Sequence, residues 1–206
     1  MAVAKPSGFS PFRTAGTNAN NMQGTTYSIQ SAEANAWYIG DTCKSVANAD
    51  ANGIPSMQKD TTGSVTIRGV VVGIINPFPG GVSIPTLYGA ALPLELLSIP
   101  ATKTQIYYVL VIEDQDTMFV AQDDNASPGN CIAANANKNS NITIANGSTV
   151  QSLSGSSLAS TSFAVTATFP IKLVGLQQIA GNAFGGFSFW YCRINESELQ
   201  GGVLGV

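Results

Sequence analysis

No stretch of this chain sustains a helical hydrophobic period for more than about two turns. Its apolar residues come in short runs, rich in β-branched and aromatic side chains and broken by Gly, Pro, Asn and Asp. That punctuation restricts the fold. Many short strands with tight turns form sandwiches or closed barrels. The most persistent run is 64–75 (SVTIRGVVVGII), where alternation merges into continuous apolar residues. Such a run reads as a strand buried on both faces, with Gly69 and Gly73 allowing a bulge or close backbone approach. Further strands are expected at 27–30, at 36–46 with an interruption at Gly40 and Asp41, at 105–112, and at 117–122. Others fall at 130–134, 142–144, 162–168, 170–176 and 187–194. Glu113 to Asp116 separates two of these runs and reads as the acidic turn of a β-hairpin. The span 147–160, rich in Ser and Gly, reads as flexible. The expected fold is all-β: a jelly-roll or barrel-like β sandwich with an extended N-terminal arm and a C-terminal tail.

At 206 residues one β domain accommodates the chain without a metal or disulfide framework. The expected organisation is an arm at 1–26, a β domain at 27–199 and a tail at 200–206. An insertion at 76–100 carries five prolines and cannot be a central strand. Apolar side chains spaced along these outlying segments are the candidate partner contacts. They are Phe9, Phe12 and Met22 on the arm, then Phe78, Leu87, Tyr88 and Leu92 in the insertion. Val203 and Leu204 stand in the tail. Deleting residues 2–20 is expected to weaken partner binding and leave the core folded. The N-terminus has no apolar core of a secretion signal, and no run is long enough to span a bilayer. The chain is therefore expected to be made in the cytoplasm, without export or membrane attachment.

The chemistry available is narrow. There is no histidine, and charged residues make up 10% of the chain. Without imidazole, the usual proton shuttle and metal ligand is missing. Abundant Ser and Thr lack their usual base, leaving a serine–lysine dyad as the formal route to nucleophilic catalysis. The nine Lys and Arg are scattered and the net charge is −3, so no nucleic-acid footprint is expected. Three widely spaced cysteines (Cys43, Cys131, Cys192) fit buried free thiols better than a disulfide or zinc pattern. Carboxylates concentrate only at Glu113, Asp114, Asp116, Asp123 and Asp124. They fit a solvated turn, with a calcium loop or a hydrolase pair as the sharper readings. Trp37, Tyr107, Tyr108, Trp190 and Tyr191 fit core and cross-strand pairs, with a sugar platform as the rival. No catalytic, cofactor-binding or metal-binding residue is assigned.

Several stretches, taken in order, carry a resemblance. They are IGDTCKSV at 39–46, RGVVVGI at 68–74 and VIEDQDTMFVAQDD at 111–124. The Ser/Gly-rich span at 147–160 follows, then PIKLVGLQQIAGNAFG at 170–185 and FWYCRINESEL at 189–199. Together they resemble the cement or decoration proteins of tailed-bacteriophage heads, which carry an acidic hairpin and end in a strand before a loose tail. Two departures stand out: Gln115 replaces a proline of the family pattern, and 76–100 is longer and more apolar than the corresponding loop. The resemblance implies a non-enzymatic virion protein, assembled in the host cytoplasm, that binds the capsid shell and bridges coat subunits. Its implied partners are the major capsid protein and further copies of itself, as trimer or dimer, with no cofactor. Two rivals remain. A virion-exposed host-surface or carbohydrate-binding β module would expose Trp37 or Trp190. A carboxylate enzyme centred on Asp114, Asp116 and Asp124 would set two of them in one concave pocket at hydrolase spacing.

Overall fold

A computed structural model describes residues 4, 7–14, 24–64, 66–75, 98–202 and 205. The chain is all-β. Twelve strands and three single-turn 3-10 segments account for its regular structure among the described residues.

Five strands close a barrel: β2 (Thr25–Ile29), β3 (Thr42–Ala49), β4 (Pro55–Lys59), β5 (Gly69–Ile75) and β6 (Tyr107–Ile112), in the order β2-β4-β3-β5-β6. Local chemistry explains the β3–β4 hairpin. Asp50 accepts hydrogen bonds from the Asn52 and Ile54 amides, and Gly53 takes φ +82°, where side chains are strained. Closure rests on one parallel contact, Ser28 with Ser56. Their hydroxyls lie 2.9 Å apart, and Ser28 also donates to the Ile54 and Pro55 carbonyls. Polar side chains thus complete a seam where the ladder is short. Tyr27, Ile29, Trp37, Cys43, Met57, Val71, Val109 and Val111 fill the interior.

A second, antiparallel sheet runs β1 (Ser10–Thr14), β7 (Thr117–Gln122), β12 (Phe189–Ile194), β11 (Ile171–Leu176) and β8 (Asn139–Ser140). A small pair, β9 (Ile142–Thr143) and β10 (Ser157–Leu158), lies apart. The sheet's inner face, with Phe119, Leu173, Trp190 and Cys192, shares a core with Ile67, Val70 and Ile112. Alternation along β5 sends Val70 to this core and Val71 into the barrel. At β5 the barrel wall is therefore also one layer of a sandwich, and that strand is apolar on both sides. The expected bulge occurs between Val71 and Gly73. A Cβ on Gly69 would sit 2.4 Å from the Ile112 carbonyl, so the close approach is real as well.

The structure revises several local expectations. The runs at 105–112 and 117–122 form strands but no hairpin. β6 pairs with β2 and β5, while β7 pairs with β1 and β12. The acidic turn is the crossover from barrel to sheet. Residues 130–134 hold 3-10 turns rather than a strand, and 162–168 contributes only the isolated Asn139–Ala164 bridge. Strand β4 escaped the periodicity reading because PSMQK is short and half polar. The span 147–160 is packed, with Ser152, Ser154, Ser156, Ser157 and Ser160 all buried. The arm is no free extension where it is described. β1 joins the sheet, and Phe9 is fully buried. Gly8 and Gly40, both at positive φ, touch back to back, and the Phe9 amide donates to the Gly40 carbonyl. The tail is fastened at Gly205, whose amide donates to the Val165 carbonyl.

Candidate docking surfaces

The few charges of the chain are largely engaged within it. Lys59 lies 2.7 Å from Asp41, and neither side chain is more than 5% exposed. Asp41 also accepts from the Ser154 hydroxyl and the Tyr38 amide. Burial pushes the Asp41 carboxyl up, against the opposing pull of Lys59. Lys103 meets Glu33 at 2.9 Å and three carbonyls besides, while the Trp37 indole donates to the same carboxylate. Burial acts to raise the Glu33 carboxyl, but Trp37, Lys103 and Asn35 outweigh it and hold it below the usual range. Lys44 pairs with Asp60 at 2.8 Å, and Arg68 with Glu113 at 3.3 Å. Burial and Glu113 together push the Tyr27 hydroxyl up to about 12.

The acidic residues noted in the sequence divide three ways. Asp123 is buried and accepts from the Ser188 amide and hydroxyl. Asp124 accepts from Thr143 and from the Ser160 amide and hydroxyl. Burial would raise its carboxyl, yet these donors hold it below the usual carboxylate range. Glu113, Asp114 and Asp116 border an open hollow of about 430 Å³ with Gln115, Leu199 and Gln200. Asp114 and Asp116 thus share one hollow, with the Asp116 amide donating to the Asp114 carboxylate, whereas Asp124 is not among its walls. Among the described residues, no group of three metal-binding side chains converges.

Other candidates resolve into structure. Trp37 and Trp190 are fully buried, so the aromatic platform expected of a sugar-binding module is not built from them. The spacing Ser56-Met57-Gln58-Lys59 matches a serine–lysine motif but lies on β4. Alternation turns positions i and i+3 to opposite faces of a strand. Ser56 bonds Ser28 and Gln30, whereas Lys59 bonds Asp41. All three cysteines are buried and unpaired. Burial raises the thiols of Cys43 and Cys192, and that of Cys131 to about 12, which suppresses thiolate chemistry.

Of the expected partner contacts, Phe12 is 44% exposed and available. Phe9 is not: a fully buried ring presents nothing to a partner, and its role is to tie the arm to its own core. Met22, Phe78, Leu87, Tyr88, Leu92, Val203 and Leu204 lie outside the described residues. The structure adds contacts that the segment-by-segment reading missed. The Gly185 amide donates to the Cys131 carbonyl, which brings exposed Phe184 and Ile132 to one loop junction beside the sheet.

The outer face of the sheet is the most organised surface. Arg13 pairs with Met118, and Lys172 pairs with Arg193. Cys192 opposes Phe119, so Arg193 falls beside Met118 one step on. Three cations therefore share one row across the strands. The neighbouring row joins Val120 to Tyr191, and the Phe12 ring lies 4.8 Å from that of Tyr191. The outer edge of β1 resists strand addition. Pro11 has no amide to offer, and the register shifts between Pro11 and Arg13.

Comparison with known proteins finds no matching family model, no matching curated protein and no matching solved structure. No helix among the described residues is long and apolar enough to cross a membrane.

Proposed function

We propose that this chain is a structural protein of a tailed-bacteriophage head, which binds the capsid shell and stabilises it by bridging coat subunits. The observation that carries the reading is the inversion of ordinary surface chemistry. Ion pairs are turned inward, while Phe12, Ile132, Val150, Val165, Ile179, Phe184 and Leu199 stand exposed. Neutral surface costs little to strip of water, so it suits a molecule covered by neighbours. The mechanism is mechanical. A rigid β body spanning two coat subunits adds contact area at their seam, and repeated weak contacts gain strength through effective concentration. The major capsid protein is the partner this reading requires. The order of motifs that resembles head cement proteins points the same way.

The test is direct. Heads purified from the phage that encodes this chain should contain it in stoichiometric amount, as density on the shell in a cryo-electron map. Heads assembled without it should release DNA at lower temperature, and adding the protein back should restore their stability. Heads that lack the chain altogether end the proposal.

A further inference from the structure

Like charges set directly opposite one another weaken a sheet, yet the outer face of the five-stranded sheet gathers them. Arg193 on β12 pairs with Lys172 on β11, and Arg13 on β1 falls on the same row beyond Met118. Elsewhere in the chain, Lys44, Lys59, Arg68 and Lys103 each face a carboxylate at 2.7–3.3 Å. Compensation on the row is slighter. Arg193 is 3.9 Å from Asp116, the limit of an ion pair, and its buried Nε has no hydrogen-bond partner. Arg13 is exposed and joins no ion pair among the described residues. Its Nε points to the Met118 sulfur at 3.4 Å, and its guanidinium lies 5.9 Å from the centre of the Phe12 ring. Lys172 has an interaction of its own within the chain and adds charge to the row.

A positive row that costs the sheet stability is balanced by an anion from outside. We propose that this face docks an extended acidic segment of the coat protein, whose carboxylates, on alternate residues, are received by Arg13 and Arg193. That the partner is a coat protein rests on the shell reading above; that it is acidic rests on the row. The spans agree. From β1 to β11 the row crosses three strand spacings, about 14 Å, and side chains four residues apart on an extended segment stand about 13–14 Å apart. Such a segment lies across the strands and uses the face, which suits a sheet whose β1 edge is blocked at Pro11. The neighbouring row supplies the rest of the contact. The Phe12 ring, 44% exposed, packs at 4.8 Å on Tyr191. Arginines beside aromatic rings are the usual make-up of a protein interface, and a guanidinium matches a carboxylate by its fork of donors. A nucleic acid suits the face less. Its affinity is built from many phosphate contacts, and the chain as a whole carries a charge of −3.

A nuclear magnetic resonance titration of the full chain at low salt tests the face without any shell. The probe is a short synthetic peptide with glutamate at three alternate positions, and its control carries glutamine there. With the glutamate peptide, amide shifts should concentrate on β1, β11 and β12 and fade as salt is raised. The glutamine peptide should produce none. Arg13→Glu and Arg193→Glu should each weaken binding about fivefold or more, because repulsion replaces attraction. Circular dichroism of each variant checks that it is folded. A glutamate peptide that does not bind, that binds elsewhere, or that ignores both charge reversals overturns the proposal. So does single-stranded DNA that binds this face more tightly than the peptide. The outcome is separable from shell binding. Charge-reversed variants that decorate heads as well as the unaltered chain defeat the acidic contact alone. A chain that binds the peptide but is absent from heads defeats the capsid reading alone.

Discussion

The barrel and the sheet solve the same problem in opposite ways. The barrel has no edge, and four of the five ion pairs found among the described residues flank its strands: Lys59–Asp41, Lys103–Glu33, Lys44–Asp60 and Arg68–Glu113. The sheet is open, and the fifth pair, Arg193–Asp116 on its outer side, is long and exposed. Closure satisfies the backbone and lets charges be turned inward to lock loops. An open sheet keeps an outer face on which Arg193 and Asp116 meet only at 3.9 Å and the Phe12 ring stays 44% exposed. A chain with few charged residues has thus placed most of them where they hold the fold, and a handful where a neighbour can reach them.

That contrast can be broken most severely at its cores. Trp37→Ala in the barrel and Phe9→Ala at the junction should each cost about 3–5 kcal/mol, read from urea unfolding. Removal of residues 2–20 should likewise unfold the protein rather than trim an arm, because it deletes Phe9 and β1. Next comes the asymmetry between ion pairs. Lys59→Met leaves Asp41 buried and uncompensated, at about 3–5 kcal/mol. Arg193→Met should change stability by less than about 1 kcal/mol. Equal costs for the two would erase the distinction drawn between the regions.

A smaller effect separates them by pH. Glu33 in the barrel loops and Asp124 beside the sheet both have carboxyls held below their ordinary range. A lowered folded pKa contributes stability that is full above the unfolded value and is lost as pH falls through the folded one. Thermal midpoints should therefore hold near neutrality and drop in acid. Asp124→Asn should flatten part of that drop while lowering the neutral midpoint. The smallest effect is at the surface. Phe12→Ser should barely move the midpoint, yet weaken shell occupancy. A large loss of stability from that change would make Phe12 a core residue and remove it from the docking face.

Much of the fold was legible in the sequence because strand signals are local. Alternation and turn residues placed β2, β3, β5, β6, β7, β11 and β12 near their observed positions. The apolar run at 64–75 correctly implied burial on both faces. Free, buried thiols also followed from cysteine spacing. What failed was pairing. Two strands around Glu113 to Asp116 look like a hairpin to any local reading, since hairpins are the cheapest connection. Here β7 instead forms its ladders with β12 and β1. The buried serines of 147–160 failed for a related reason. Their partners, such as Asp41 for Ser154 and Asp124 for Ser160, are distant in sequence.

By itself the sequence determined that this chain is all-β, where its longer strands lie and that its three cysteines are buried and unpaired. Each of these depends on residues within a few positions of one another. Tertiary structure alone decided which strands share a sheet, that Phe9 and both tryptophans are core, and that Arg13, Met118, Arg193 and Lys172 form one row. Those residues come from four strands, and only register across a sheet, fixed by burial of its inner face, makes them neighbours.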